Sequence, residues 1–253
     1  MNDIFSLKNK RLLVTGGTRG IGRAISLRFA QAGAHVIANY VRDDQAAEDL
    51  RGMALQQQLA IDVCRADLTS TKGLERLKEL IDAQGQMLSG CVHCAATGVH
   101  RTFDELTTRQ FDWVFALNIR AYFELMKILI PRLAKGAAIV ALSSQGAVRA
   151  IRSYSLVGAS KGALESFSRH LASELALKDI RVNILSPGSV ATGAWDKMPD
   201  GEKRMADTIH KTPTSRLVTP DEVALAAQFL CSEASSGIIG HTLVVDGGAS
   251  IVE

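Results

Sequence analysis

Short apolar runs alternate with helical patterns along the whole chain, and this alternation constrains the possible fold more than any other feature. The apolar runs are RLLVTGG, HVIANY, AIDVCRAD, LSGCVHCAA, AAIVALSS, IRVNILSPG and HTLVVDGG. Segments with apolar residues at helical spacing separate them, among them GIGRAISLRFAQAGA, STKGLERLKELIDAQG and PDEVALAAQFLCS. Alternating strands and helices form right-handed βαβ units. The sequence therefore predicts an α/β fold with a doubly wound, seven-stranded parallel sheet.

Three further stretches are predicted to be helical, at about 44–58, 107–134 and 154–178, the second as one helix or two. One segment interrupts the alternation. Residues 189–219 form a long polar stretch with prolines between the sixth strand and the last helix. An insertion of this length beyond the carboxyl end of a strand is typical of a substrate-binding loop or lid.

The size and composition of the chain fit one soluble domain. Its 253 residues are 47% hydrophobic and 22% charged, and no linker rich in Pro, Gly or Ser divides them, so we expect a single domain over 1–253. The net charge of +3, without a basic run of five or more, argues against a nucleic-acid partner. No apolar stretch is long enough for a membrane span or a signal peptide, which predicts a cytoplasmic protein.

The CVHC motif invites a redox or metal-site interpretation, since Cys91 and Cys94 have a familiar spacing. However, the motif lies in an apolar run that we interpret as a strand, where residues three apart point to opposite faces. The two sulfur atoms would then diverge. We therefore expect buried small residues here and predict no metal site.

A glycine-rich turn follows the first strand and opens the first helix. Its sequence, TGGTRGIG, has three residues between its first and third glycines, so it is not the GxGxxG form. The strand, turn and helix together predict a dinucleotide site, because small residues admit a pyrophosphate and the helix N-terminus offers it free N–H groups. A glycine-rich turn without a ligand is the alternative. The predicted cofactor-binding residues of this turn are Gly16, Thr18, Arg19, Gly20, Ile21 and Gly22.

The end of the second strand indicates which dinucleotide is bound. NAD-binding folds carry an acid here that holds the ribose 2′-OH, whereas this chain has Asn39 and Tyr40 and then Arg42. The aspartates after Arg42 come too late and are better interpreted as caps of the next helix. Arg19 and Arg42 are both suited to a 2′-phosphate. We therefore predict NADPH (NADP) as the cofactor.

The order and spacing of these motifs resemble the short-chain dehydrogenase/reductase family over essentially the whole chain. The resemblance includes the glycine turn, FALNIRA, ALSSQG, the tyrosine and lysine of YSLVGASK, SPGSVAT and VVDGG. It implies a single-domain Rossmann fold, usually a homotetramer, and candidate catalytic residues Asn118, Ser144, Tyr154 and Lys161. The remaining cofactor-binding positions would be Asp67, Leu68, Ala95, Lys161, Pro187, Gly188, Val190 and Thr192, with Thr192 at the nicotinamide carboxamide.

Several of these residues also admit plainer roles. Asp67 could accept from the adenine amino group or be an ordinary turn aspartate. Ser144 could be catalytic or cap the end of its strand. Asn118 could open its helix locally for a water molecule or be a packed polar residue. His93 opens HCAA, which stands where the family usually has NNAG, and within an apolar strand we expect it to be structural.

The spacing within YSLVGASK departs from that of ordinary family members. Those separate tyrosine and lysine by three residues, which would place the tyrosine at Val157, whereas six residues separate Tyr154 from Lys161. The tyrosine has therefore moved about one helical turn, roughly 5 Å. This wider spacing is that of enoyl-ACP reductases within the family, and KTPTSRLV and GHTLVVDGGASIVE are also similar to the NADPH-dependent type III enzymes.

The resemblance implies reduction of the 2,3 double bond of an enoyl thioester, on an acyl carrier protein or CoA, in fatty-acid or polyketide-like synthesis. A 3-oxoacyl or carbonyl reductase or alcohol dehydrogenase of the same family is the alternative, and a non-catalytic dinucleotide-binding regulator is a third. Trp195 and Met198 would form an apolar wall of the lid. The basic residues expected around the mouth, facing an acidic carrier or the CoA phosphate, are Arg149, Arg152, Lys197, Lys203 and Arg204.

Overall fold

The computed structural model describes residues 3–193, 195 and 201–252. Its sheet has seven strands in the order β3-β2-β1-β4-β5-β6-β7, and each adjacent pair is parallel. This confirms the predicted doubly wound Rossmann architecture. The strands are β1 Arg11–Thr15, β2 His35–Tyr40, β3 Ile61–Arg65, β4 Leu88–His93, β5 Leu133–Leu142, β6 Arg181–Pro187 and β7 Thr242–Val245.

The helices lie on both faces of the sheet, and most match the expected segments. Within the described residues they are α1 Gly20–Gln31, α2 Asp44–Gln56, α3 Thr71–Ala83, α4 Thr108–Phe115, α5 Ala121–Leu129, α6 Ser155–Ala176, α7 Gly201–Lys211 and α8 Pro220–Cys231. A π-helical turn, Ala116–Arg120, joins α4 to α5. Helix α7 was not predicted, and β5 begins four residues before the expected run.

Alternate residues of the strands face two separate cores. Leu13 packs with α3, α5 and α6, whereas its neighbours Leu12 and Val14 pack with α1 and α8. Such alternation between two apolar faces is what a parallel sheet covered on both sides requires. Cys91 lies in the first core and Cys94 packs against the second, so the sulfurs of CVHC diverge as expected.

The strand order reverses between β1 and β4, and this point fixes where a ligand can bind. In open α/β sheets, ligands bind in the crevice beyond the carboxyl ends of the strands at such a reversal. Here the two strand ends are tied together, because the Thr15 hydroxyl accepts from the amides of Cys94 (3.1 Å) and Ala95 (3.0 Å). The glycine turn after β1 opens into this crevice.

The two ends of the expected lid, residues 189–219, are paired with each other. Val190 and Val218 form an isolated parallel bridge, supported by hydrogen bonds from Ala191 N to Val218 O (2.8 Å) and from Val218 N to Ser189 O (3.0 Å). Helix α7 lies between these paired ends. Residues 189–219 therefore leave and rejoin the rest of the fold at adjacent points. The function of this segment as a lid stays a prediction.

Candidate active site

The glycine turn has the backbone that a dinucleotide needs. Gly16 and Gly20 adopt positive φ angles of 63° and 52°, a region that L-residues rarely enter. A Cβ on Gly22 would lie 2.0 Å from the Gly16 carbonyl oxygen, so this position admits only glycine. A Cβ on Gly20 would meet only the Thr192 methyl, at 3.8 Å. Gly20 and Thr192 therefore flank an open groove at the N-terminus of α1, which fits a pyrophosphate.

The other residues of the turn are arranged around this groove. Thr18 is buried, Ile21 is half-buried, and Arg19 is exposed at the N-cap of α1. A Cβ on Gly16 would lie 3.1 Å from the Ala95 Cα, which places Ala95 directly against the turn. The predicted cofactor residues of β1 and β4 are thus brought together.

The ends of β2 and β3 form the next part of the crevice. Asn39 is buried and its side-chain amide donates to Ala66 O at 2.8 Å, while Tyr40 donates to Asp44 at 2.9 Å. Arg42 is exposed, and Asp43 caps α2 as expected. An acid that could hold a ribose 2′-OH is therefore missing at the end of β2.

Asp67 has a partner within its own turn. Its carboxylate accepts from the Thr69 amide (2.9 Å) and hydroxyl (2.7 Å), and the neighbouring Leu68 is buried. A cavity of about 320 Å³ lies beside Asp67 and is lined by Val41, Arg65, Ala66, Ser70, Lys72, Gly73 and Arg76. Because the predicted cofactor residue Asp67 lines this cavity, the adenosine end of a dinucleotide would lie here.

The structure brings Tyr154 and Ser144 together. Tyr154 immediately precedes α6, and its hydroxyl lies 3.2 Å from the Ser144 Oγ. Burial raises the pKa of the Tyr154 phenol, and the hydrogen bond with Ser144 offsets part of this effect. Ser144 also accepts from the Gly146 amide at 3.1 Å, so it is both a cap and a partner of the tyrosine. Tyr154 is therefore a protonated phenol at neutral pH.

Lys161 lies deeper in α6, almost fully buried. Its Nζ donates to the Leu142 carbonyl at 2.6 Å, at the end of β5. Burial lowers the pKa of Lys161 to about 8, while the Cys94 thiol and the Glu165 carboxylate favour its protonated form. Lys161 is thus a buried cation whose charge is lost not far above neutral pH.

Asn118 lies in the π-helical turn between α4 and α5, fully buried. Its Oδ1 accepts from Thr97 N (2.9 Å), and its Nδ2 donates to Thr97 O (3.0 Å) and Ser160 Oγ (2.9 Å). The helix is therefore opened locally, as expected, but the amide ties the loop after β4 to α6. These bonds favour the interpretation of Asn118 as a packed polar residue.

His93 is buried at the end of β4, and its contacts favour the structural interpretation. Its Nδ1 lies 3.1 Å from Thr15 Oγ1, and its ring stacks on Tyr122 with centroids 4.8 Å apart. Because two amides already donate to Thr15, its hydroxyl donates to Nδ1 and the His93 proton sits on Nε2. Burial and the charge of Lys161 lower the pKa of His93 to about 3, so the ring is neutral.

His100 is a residue that the sequence did not single out. It lies in the loop between β4 and α4, half-buried, and its ring contacts that of Tyr154 with centroids 5.4 Å apart. Burial lowers the pKa of His100, and the charge of Arg204 on α7 lowers it further. No periodicity or motif marks this position, so only the folded structure reveals it.

The far side of the crevice contains the remaining cofactor candidates. Pro187 ends β6, and the Gly188 amide donates to Val245 O at 2.9 Å. A Cβ on Gly188 would lie 2.6 Å from the Asp246 Cβ, which explains the glycine. Val190 is buried at the base of the expected lid and accepts from the Trp195 indole at 2.8 Å.

The expected mouth is only partly assembled by the described residues. Arg149 donates to Ala249 O at 3.1 Å and to Ser250 O, which fastens the C-terminal residues over the turn after β5. The charge of Arg204 lowers the pKa of His100, whereas Arg152 and Lys203 are exposed. Lys197 and Met198 lie outside the described residues.

Two kinds of feature are absent from the described residues. No group of three or more His, Cys, Asp or Glu side chains among them is arranged to hold a metal ion. No helix within the described ranges is both long enough and apolar enough to cross a membrane.

Comparisons with known proteins define the family. A family profile described as Enoyl-(Acyl carrier protein) reductase matches residues 16–250. A tropinone reductase homolog of Arabidopsis thaliana is 34% identical over 98% of this chain and 92% of its own length. The 1-cyclohexenylcarbonyl-CoA reductase of Streptomyces collinus is 31% identical over 95% of this chain and 86% of its own.

A solved structure from Beutenbergia cavernae with NADP bound at low occupancy superposes with a TM-score of 0.90, at 29% identity, over 98% of this chain and 100% of that one. The fold and the site define a dinucleotide-dependent oxidoreductase. The chain belongs to the short-chain dehydrogenase/reductase family.

Proposed function

We propose that the protein reduces the 2,3 double bond of an enoyl thioester with NADPH. The observation that carries this proposal is the position of Tyr154, which immediately precedes α6. Val157, at the position of the tyrosine in ordinary family members, is buried in the first turn of this helix. The Streptomyces collinus relative, whose name describes an acyl-CoA with a cyclohexenyl group on its carbonyl, supports a thioester substrate.

The displaced tyrosine suits the charge that forms during enoyl reduction. A ketone develops negative charge on the oxygen bonded to the reacting carbon. An enoyl thioester reacts at Cβ and develops the charge on the thioester oxygen, three bonds further along. A donor must lie within about 3 Å of that oxygen to stabilise it. A displacement of roughly 5 Å along α6 is of the required size.

The residues of the crevice fit the cofactor. The glycine turn would hold the pyrophosphate, and Thr192 would bind the nicotinamide carboxamide. Arg19 and Arg42 would bind the 2′-phosphate. Bound NADPH would supply the hydride. Tyr154, whose pKa is raised, would donate to the thioester oxygen, and Lys161 as a buried cation would favour phenolate character as that proton is transferred.

The resemblance to enoyl-ACP reductases also suggests how the substrate is bound, where the protein acts and how many subunits it has. Residues 189–219 would close over the acyl chain, with the basic residues at the mouth facing an acyl carrier protein or the phosphates of CoA. We propose a cytoplasmic homotetramer that acts in fatty-acid or polyketide-like biosynthesis.

Carbonyl reduction is a second candidate, because the Ser144 Oγ remains 3.2 Å from the Tyr154 hydroxyl. Such a pair can polarise a ketone oxygen directly. The tropinone reductase homolog among the relatives supports this alternative. Substrate choice, not the presence of the pair, separates the two functions.

The deciding experiment follows NADPH consumption with matched pairs of thioesters. Crotonyl and octenoyl thioesters of CoA and of acyl carrier protein are compared with the 3-oxoacyl thioesters of the same chain length. We expect turnover of the enoyl substrates. Good turnover of 3-oxoacyl thioesters alone would establish the carbonyl reductase instead.

The cofactor preference is tested by charge removal. Arg42→Ala and Arg19→Ala are expected to raise the KM for NADPH about tenfold or more each, because a 2′-phosphate loses a charge-assisted hydrogen bond worth roughly 1.5–3 kcal/mol. The KM for NADH should change little. Arg51→Ala, on the exposed side of α2 beside Glu48, is the control. Equal effects on both cofactors would contradict the assignment.

A further inference from the structure

We propose that His100 is a positioning residue that holds the ring of Tyr154 against Gly146 and Gly158, and thereby sets the phenol hydroxyl beside Ser144. This inference deepens the proposed function and rests on it, since it concerns the tyrosine that would act on the thioester.

Tyr154 needs support from outside its helix. It has φ −127° and ψ 11°, so its backbone is not helical, and it precedes the first residue of α6. The regular packing of a helix interior therefore does not fix its ring. At its far end, the hydroxyl has the contact with Ser144 at 3.2 Å, which fixes the tip but not the plane of the ring.

One side of the ring is enclosed by two glycines. A Cβ built on Gly146 would lie 2.5 Å from Tyr154 Cε1 and 2.6 Å from Cδ1, so the ring occupies the space of a side chain there. A Cβ on Gly158 would lie 3.7 Å from Cδ1, and the Gly158 amide donates to Tyr154 O at 2.7 Å. The ring can move no further in this direction.

His100 contacts the same ring. The two ring planes are inclined at 44° with centroids 5.4 Å apart, a separation at which aromatic pairs attract. Gly98 allows the loop to come this close, because a Cβ there would lie 2.8 Å from Val157 Cγ2 and 4.0 Å from His100 Nε2. Val157, at the place of an ordinary family tyrosine, thus supports the loop that carries His100.

The charge state of His100 is consistent with a packing role. Burial and the nearby Arg204 both disfavour the imidazolium, which lowers the pKa of His100. The ring that meets Tyr154 is therefore neutral at physiological pH. Its contribution comes from its shape and its aromatic face, so phenylalanine should replace it and alanine should not.

The kinetic test compares His100→Ala and His100→Phe, with His170→Ala on the exposed face of α6 as control. His100→Ala is expected to lower kcat by about tenfold to a hundredfold, since a small misplacement of a reacting group has an effect of this size. The KM for NADPH should stay within about twofold. His100→Phe should recover most of kcat. A normal kcat in His100→Ala, or equal loss in both variants, would overturn the proposal.

A second readout needs no substrate. The chain has three tyrosines, so ring-labelled tyrosine gives three sets of NMR signals, and Tyr154→Phe identifies the set of Tyr154. His100→Ala should shift this set and leave the others in place, because the ring current of the imidazole is removed. An unchanged Tyr154 signal would refute the positioning role of His100, whichever substrate the enzyme uses. A shifted signal without turnover of any enoyl thioester would support the positioning role and refute the proposed function.

Discussion

At the scale of single residues, the candidate site contains two groups whose pKa values are shifted in opposite directions. Burial raises the pKa of Tyr154, which keeps its proton available for donation. Burial lowers the pKa of Lys161 to about 8, so its charge is retained only up to mildly alkaline pH. Such opposed shifts are typical of sites that transfer protons.

Tyr154→Phe tests the donor directly. The variant keeps the aromatic ring beside Gly146, Gly158 and His100 and removes only the hydroxyl. The fold and the affinity for NADPH should therefore be unchanged. We expect kcat to fall about 10²- to 10³-fold, the usual effect of losing one donor to a developing oxyanion. Tyr40→Phe, whose hydroxyl bonds only Asp44 in the described contacts, is the control. An unchanged kcat would remove Tyr154 from the mechanism.

Lys161 predicts an alkaline limit to activity. The lysine is charged below its pKa of about 8 and neutral above it, so a role for the cation requires kcat/KM to fall as the pH rises through that value. The pH profile of kcat/KM for Lys161→Arg should lack this decline, because the guanidinium group stays charged throughout the pH range. A wild-type profile that is flat to pH 10 would contradict a role for the charge.

At the scale of secondary structure elements, α8 begins where the segment 189–219 ends, and a capping box fixes this boundary. Thr219 accepts from the Glu222 amide at 3.2 Å, and Glu222 accepts from the Thr219 amide at 2.8 Å. The same carboxylate binds Arg216 through two hydrogen bonds, which lowers the pKa of Glu222 to about 2. The cap therefore anchors one end of residues 189–219.

Thr219→Ala should lower the free energy of unfolding by about 1 kcal/mol, the usual effect of losing an N-cap acceptor. The change is measured as a shift of the urea midpoint at constant slope. Thr71→Ala, an exposed threonine inside the first turn of α3, should leave the midpoint nearly unchanged because Ser70 is the cap there. Equal midpoints for the two variants would mean that the capping box is not stabilising.

Elements with a regular pattern could be predicted from the sequence, and those set by packing could not. The strands and the caps Asp43 and Ser70 are predictable because period and capping chemistry are local. The π-helical turn at Asn118 and the approach of His100 to Tyr154 depend on contacts between distant segments. The contact of Ser144 with Tyr154 is of the same kind, since the spacing alone suggested that the tyrosine had moved away.

At the scale of the whole molecule, cofactor binding should be coupled to folding. The crevice is formed by the ends of several strands and exists only in the folded sheet, so NADPH at 100 times its Kd should stabilise the protein by about 2.7 kcal/mol. We expect a rise in Tm of about 5–10 °C. Gly20→Ala should abolish this rise, because its methyl group would enter the open groove.

Gly52→Ala is the control for that substitution, since a Cβ there would meet nothing within 4 Å and the residue lies inside α2. It should keep the full stabilisation by NADPH and gain slightly in stability of its own. Undiminished stabilisation of Gly20→Ala by NADPH would show that the groove beside Thr192 is not the cofactor site.

The space that Gly146 leaves for the Tyr154 ring also restricts how such a chain can diverge. A methyl group at 146 would collide with a tyrosine at 154, so any descendant that gains a side chain at 146 must first lose or relocate its tyrosine. A tyrosine introduced at 157 would in turn replace the Val157 contact with Gly98 and release the loop of His100. Passage between the two spacings therefore requires coordinated changes in three separate segments, and single substitutions along that route meet a barrier.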